Sequence, residues 1–248
     1  GLVLQEIRNS SDSPKSYQHP SWTKGGWLAP IQIDNIGNIF LGPAPFVNVL
    51  NNSTYQQNTL YKVDATTGVM DIFLQLPSSD SPSVNNPYGI LGLAFLCEPN
   101  VLYASSVAGS TRAKESGTIF AIDPVEKKII DKIEGIDAFG MGVSFIEGKR
   151  KLYFGSARTS DVYGVVLDKE GKFSGKPEKV FSLQNLGERG DDKVRKIRSD
   201  NYGNLIVSCI EFSYNLRAST EKKEAVYEFL YSDETKKWSF SKELLNGK

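Results

Sequence analysis

The sequence predicts an all-β fold of short strands grouped in fours, and three observations carry that prediction. An apolar tetrad recurs as Ile39-Phe40-Leu41-Gly42, Leu102-Tyr103-Ala104-Ser105, Leu152-Tyr153-Phe154-Gly155 and Leu205-Ile206-Val207-Ser208. A second one follows it in step, as Leu60-Tyr61-Lys62-Val63, Ile119-Phe120-Ala121-Ile122, Val162-Tyr163-Gly164-Val165 and Val226-Tyr227-Glu228-Phe229. Apolar residues alternate in short runs that Gly or Pro interrupts every few positions, which excludes helices. Repeats of this length made from short strands predict a β-propeller, with four blades countable in this chain.

The elements follow in order. Residues 1–27 hold one strand, Leu2–Ile7, and an extended segment; that strand is expected to pair with the last blade as a ring-closing strap that hides an open edge. Residues 28–248 form the blades. Their first strands lie near Ala29–Ile33, Leu91–Phe95, Met141–Phe145 and Arg195–Ser199. Asp34-Asn35-Ile36-Gly37-Asn38 and Asp200-Asn201-Tyr202-Gly203-Asn204 are near copies of one turn, in which Asp bonds its own backbone and Gly supplies a positive φ. Fourth strands lie near Val69–Leu76, Ile129–Ile133, Lys179–Leu183 and Trp238–Leu244. In the innermost strands Ile31, Leu93, Val143 and Ile197 are expected between blades. The small residues Gly92, Ala94, Gly142 and Ser144 are expected at the crowded axis, where the fourth repeat has Lys196 and Arg198. Those two cations either face the axis and need an anionic partner, or lie near the surface after a one-residue slip.

Composition bounds the function classes. The chain has 248 residues and zero formal net charge, so no global charge draws it to nucleic acid or a membrane. No apolar run approaches the ~20 residues of a membrane span. The start runs straight into Glu6 and Arg8, so no signal peptide is visible, and Gly1 predicts a processed start. Glycosylation-type motifs begin at Asn9, Asn51 and Asn52; with the Asn- and Ser-rich loops they predict an exported, periplasmic or secreted, monomer. Cys97 and Cys209 are expected as two buried free thiols. The single His19 is expected to be structural.

The stretch Ile31-Gln32-Ile33-Asp34-Asn35-Ile36-Gly37-Asn38-Ile39-Phe40 resembles the strand-turn-strand signature of NHL-repeat propellers and of the gluconolactonase-like (senescence marker protein) superfamily. So do Gly92-Leu93-Ala94-Phe95 and Gly117-Thr118-Ile119-Phe120-Ala121-Ile122-Asp123-Pro124. The resemblance implies six blades, where only four are countable. It also implies a lactonase whose calcium or zinc is held by Glu, Asn and Asp near the starts of inner strands. The corresponding positions here are Trp27-Leu28, Tyr88-Gly89-Ile90, Phe139-Gly140-Met141 and Lys193-Val194-Arg195, none a carboxylate or side-chain amide. Asn85, Asn86, Asp137, Asp191 and Asp192 lie a few residues away and replace them only if the crossovers fold inward.

Connectivity puts the tight turns on one face and the long loops Pro43–Asn58, Val107–Gly117, Ala157–Ser160 and Glu211–Glu224 on the other, where a site is expected. Lysines gather on the short-turn face. Arg112, Arg158, Arg189 and Arg217 gather on the long-loop face, with Arg195 and Arg198 on an inner strand. Arg offers a planar fork for carboxylate or phosphate; ion pairs with Asp161, Glu188, Asp191, Asp192 or Glu211 are the plainer role. Trp27, Tyr88 and Phe139 are expected as an aromatic floor, or else as packing beneath the loops. The function expected is non-catalytic binding of a small anionic or amphipathic ligand, or an acidic protein segment, at this mouth, with no cofactor. The alternative is a metal-dependent lactone or ester hydrolase that uses the nearby acids with calcium or zinc.

Overall fold

The computed structural model describes residues 2–6, 15–45, 53–81, 85–214 and 224–244. Strands β1 (Leu4–Glu6) and β2 (Lys15–Tyr17) pair with each other. Four four-stranded antiparallel sheets follow, each with its strands in sequence order. Blade 1 is β3 (Leu28–Ile33), β4 (Ile39–Pro43), β5 (Thr59–Val63) and β6 (Met70–Gln75). Blade 2 is β7 (Ile90–Leu96), β8 (Val101–Ser106), β9 (Thr118–Asp123) and β10 (Lys128–Glu134). Blade 3 is β11 (Ala138–Ile146), β12 (Lys149–Ser156), β13 (Asp161–Leu167) and β14 (Phe173–Ser182). Blade 4 is β15 (Lys193–Ser199), β16 (Leu205–Ile210), β17 (Ala225–Ser232) and β18 (Lys237–Glu243).

The turns use the chemistry their sequences announce. Asp34 Oδ1 accepts from the Ile36 and Asn38 amides, and Asn38 Nδ2 donates to Asp34 Oδ2 at 2.7 Å. Asp200, Tyr202 and Asn204 repeat that pattern bond for bond in blade 4. In the turns between third and fourth strands, Asp64, Asp123 and Asp168 each accept two or more backbone amides, and Ser232 Oγ accepts one. These bonds use the amides that tight turns leave without a strand partner.

Adjacent blades bury apolar faces against each other. Phe40, Leu60 and Phe73 of blade 1 meet Leu93, Leu102 and Phe120 of blade 2. Tyr103 and Ile119 of blade 2 meet Leu152 and Phe154 of blade 3. Tyr153 and Val162 of blade 3 meet Val207, Tyr227 and Phe229 of blade 4. Along the inner edge β3 packs on β7, β7 on β11 and β11 on β15, and among the described residues no packing of that extent joins β15 to β3. Glycine permits this approach: a methyl at Gly92 would overlap the Phe139 carbonyl, and one at Gly142 the Ile197 carbonyl. The small inner-strand residues thus accommodate the neighbouring strand's backbone.

The outer faces of the first and fourth blades differ. On blade 1, Leu2 and Trp22 cover Ile39, Leu41, Tyr61, Val63 and Met70. Trp22 Nε1 donates to the Gly68 carbonyl at 2.8 Å, and Ser21 Oγ accepts the Met70 amide at 2.8 Å. His19 caps the short 3-10 turn Pro20–Gly25 by accepting the Ser21 amide. The strand expected to strap onto the last blade thus pairs with β2 instead, and its segment shields blade 1. The cover is partial. Ile31 and Ile33 of β3 stay 47% and 54% exposed, so Ile31 does not pack between blades as its counterparts Leu93 and Ile197 do. On blade 4, Lys196 and Arg198 are exposed and do not point into a buried axis; among the described residues no further sheet packs over that face of β15. Both cysteines are free; Cys209 is buried as expected, whereas Cys97 is exposed at the end of a strand-to-strand turn.

Candidate functional site

Each inner strand carries a one-residue bulge near its start: between Leu28 and Ile31, Ile90 and Gly92, Ala138 and Met141, and Val194 and Lys196. A bulge bends its strand and re-aims a side chain. Here it does so at the long-loop end of all four blades, and the residues it displaces include Leu91, Phe139 and Arg195.

The rings gather into one plug. Phe139 lies 4.6 Å from Phe212, Phe212 lies 5.1 Å from Tyr88 and 5.6 Å from Tyr214, and Val107, Ala157 and Ile210 pack with them. Phe139 is buried under Phe212, so it supports the surface without forming it. Trp27 stands apart from this cluster, 62% exposed beside β3. Phe212 was not singled out by sequence; it falls just past β16, in a loop whose ends alone were legible.

Beside the plug sits a buried polar hub. Asp137 has no solvent exposure. Its Oδ1 accepts from Ser110 Oγ at 2.5 Å and the Gly117 amide at 2.9 Å; its Oδ2 accepts from Arg158 Nε at 2.6 Å and the Tyr214 hydroxyl at 2.5 Å. Burial, followed by the bond to this carboxylate, pushes the Tyr214 phenol well above its ordinary pKa. Arg158 spends its other nitrogens on the carbonyls of Arg112, Thr111 and Lys114, and stacks 5.4 Å from the Tyr214 ring centre. This fork binds the protein's own loops.

Equivalent crossovers hold equivalent latches. Asn86 Nδ2 donates to the Val107 and Ser110 carbonyls, and Asp192 accepts from Arg189 Nη2 at 3.1 Å. Aligning the crossovers shows the signal that reveals them, a polar residue, Asn86, Asp137 or Asp192, shortly ahead of β7, β11 and β15. Asp192 and Arg189 form one of the expected loop ion pairs; the partner of Arg158 is Asp137.

The remaining cations are open. Arg195 is 55% exposed and 3.6 Å from Glu224. Lys196, Arg198 and Arg112 are exposed, and among the described residues none of them has an ion-pair partner. Arg217 lies outside the described residues, as do the motif asparagines Asn9, Asn51 and Asn52. Among the described residues no three His, Cys, Asp or Glu side chains converge where one ion could be held, and no helix is long and apolar enough to cross a membrane. A separate open cavity of about 740 Å³ lies at the long-loop end of blade 1, between the β4–β5 loop and the crossover to blade 2.

No family model matches the sequence, and no curated protein matches it. Among solved structures the chain is similar to the Dos1 propeller, with a TM-score of 0.51 and 12% identity over 89% of this chain and 50% of that one. The fold is a β-propeller. It is also similar to an alpha-L-arabinofuranosidase from Lactobacillus brevis (TM-score 0.51, 11% identity, 85% of this chain and 70% of that one). A third is the periplasmic gluconolactonase of Pseudomonas aeruginosa (TM-score 0.45, 13% identity, 71% of this chain and 47% of that one). The chain spans half or less of two of these three, and at such identities the likeness to the propeller is one of fold.

Proposed function

We propose that this propeller is a non-catalytic binding module that takes an anionic or amphipathic partner along the inner strand of blade 4, from its long-loop mouth. The observation that carries the reading is the run Arg195, Lys196 and Arg198, three exposed cations along β15, which starts at the long-loop face beside the plug of aromatic rings and ends at the Asp200 turn. Two other loop-face arginines are bound within the protein, Arg158 by Asp137 and Arg189 by Asp192, whereas Arg112 stays exposed. Lys196 and Arg198 hold their charge toward solvent and Arg195 stays 55% exposed beside Glu224, where an acidic segment or a carboxylate ligand gains from several cations at once. The exposed edges of Tyr88, Phe212 and Tyr214 supply apolar contact next to that charge. Kinship with the NHL and gluconolactonase-like group, and export from the cytoplasm, belong to the same proposal. The duplicated Asp34 and Asp200 turns support the kinship.

Fluorescence anisotropy with labelled hexaglutamate, and calorimetry with citrate, test it. Binding that weakens with salt and falls at least ~10-fold in the triple variant Arg195→Ala, Lys196→Ala, Arg198→Ala supports the reading. No binding, or binding indifferent to the triple variant, overturns it. Turnover of a lactone or ester panel in the presence of calcium or zinc would overturn the non-catalytic half.

A further inference from the structure

The cavity on blade 1 has a chemistry unlike the cationic strand of blade 4. Its described polar lining is amide and hydroxyl, from Gln57, Asn58, Gln75 and Ser78 among others, and among the described residues no Lys or Arg lines it. Asp80 is the one carboxylate among the described lining residues, and Lys114 holds it at 2.5 Å. The bond from Lys114 and the Ser81 amide keep the Asp80 carboxyl below its usual range, so the pair stays ionised and mutually neutralised. A wall with no uncompensated charge has no attraction for an anion and little for a cation.

Two features point to what would fill it. Tyr55 stands at the rim on the short 3-10 turn Thr54–Gln56 with 76% of its surface exposed, a flat apolar plate beside polar groups. Gln57 at its base is 4% exposed, and its Nε2 donates to the Asn86 carbonyl at 2.7 Å, which fixes that part of the wall. Neighbouring groups are already set: Asn58 donates to the Pro77 carbonyl and Ser78 Oγ, and Gln75 accepts from Thr59 at 2.6 Å. They hold the wall rigid and leave lone pairs and hydroxyl protons for a ligand.

We infer that this cavity is a binding site for a neutral saccharide. The C–H face of a pyranose matches the Tyr55 plate, sugar hydroxyls match the amide and hydroxyl wall, and the volume lies within the ~300–1,000 Å³ typical of small-ligand sites. The site is on a different blade from the cationic run, so it stands or falls independently of the anion-binding proposal.

Saturation-transfer NMR and calorimetry with cellotriose, xylotriose and maltotriose test the inference, with glucuronate as the charged control. At least one neutral trisaccharide is expected to receive saturation. Its affinity should drop ~10-fold or more in Tyr55→Ala, survive in Tyr55→Phe, and be unchanged in the Arg195, Lys196, Arg198 triple variant. Tyr55 is exposed, so its loss leaves the fold intact, which circular dichroism verifies. No saturation of any neutral sugar, an unaffected Tyr55→Ala, glucuronate binding more tightly than the neutral sugars, or loss of binding in the triple variant each overturns it.

Discussion

Arg158 and Asp137 form a buried ion pair at 2.6 Å on which loops of three blades converge: 111–117 of blade 2, the arginine's own loop in blade 3, and Tyr214 beyond β16 in blade 4. Arg158→Ala leaves the Asp137 carboxylate buried without its counter-charge, which costs about 3–5 kcal/mol. Tyr214→Phe removes one hydrogen bond to the same charge, for about 1.5–3 kcal/mol. Urea unfolding of the two variants measures both, and Arg158→Ala is expected to be the worse.

The inner strands should tolerate no side chain where they touch. Gly142→Ala forces β11 away from the Ile197 carbonyl of β15 and is expected to cost about 1–3 kcal/mol or more. Gly135→Ala meets nothing within 4 Å and suffers only from its positive φ of 77°, at about 1 kcal/mol. Thermal melts of the pair separate packing from backbone strain.

On the short-turn face Glu147 of blade 3 meets Lys236 of blade 4 at 2.5 Å. Its bond to Lys236, then one to Tyr231, lowers the Glu147 pKa, and the Glu147 bond raises that of Lys236. The glutamate's contribution is therefore present above the ordinary Glu value and lost as pH falls through the lowered one. The lysine's is present below the ordinary Lys value and lost as pH rises through the raised one. Glu147→Gln should lower the melting temperature slightly at neutral pH and not at all below the lowered pKa, since exposed pairs contribute little. Melts across pH 2–8 check this.

Thiol labelling should be stepwise. Cys97 is exposed and reacts in the native protein, whereas burial pushes the Cys209 thiol up and hides it. One equivalent of Ellman's reagent is expected to react within minutes and the second only with unfolding, at a rate that denaturant accelerates.

The strands and turns were legible because local rules decide them: alternation for the strands, Asp with Gly for the Asp34 and Asp200 turns, small residues where Gly92 and Gly142 admit a neighbour's backbone. Neighbours that local rules do not encode were missed. Ile31 has the same alternation as Leu93, and its exposure follows from what packs beside blade 1. Arg158 reads as a free fork until Asp137, 21 residues back, folds under it. Cys97 lies at the end of an apolar run, where β7 gives way to an exposed turn. The Tyr55 cavity needed the β4–β5 loop and the next crossover together, and no motif spans both.

The order in which the inner strands pack bears on how the blades fold. Among the described residues β3 packs on β7, β7 on β11 and β11 on β15, each on the next along the sequence, so these contacts close loops of moderate length. Folding can therefore advance blade by blade on contacts of moderate separation, with the Trp22 segment seated on blade 1 as a lid on the first of them.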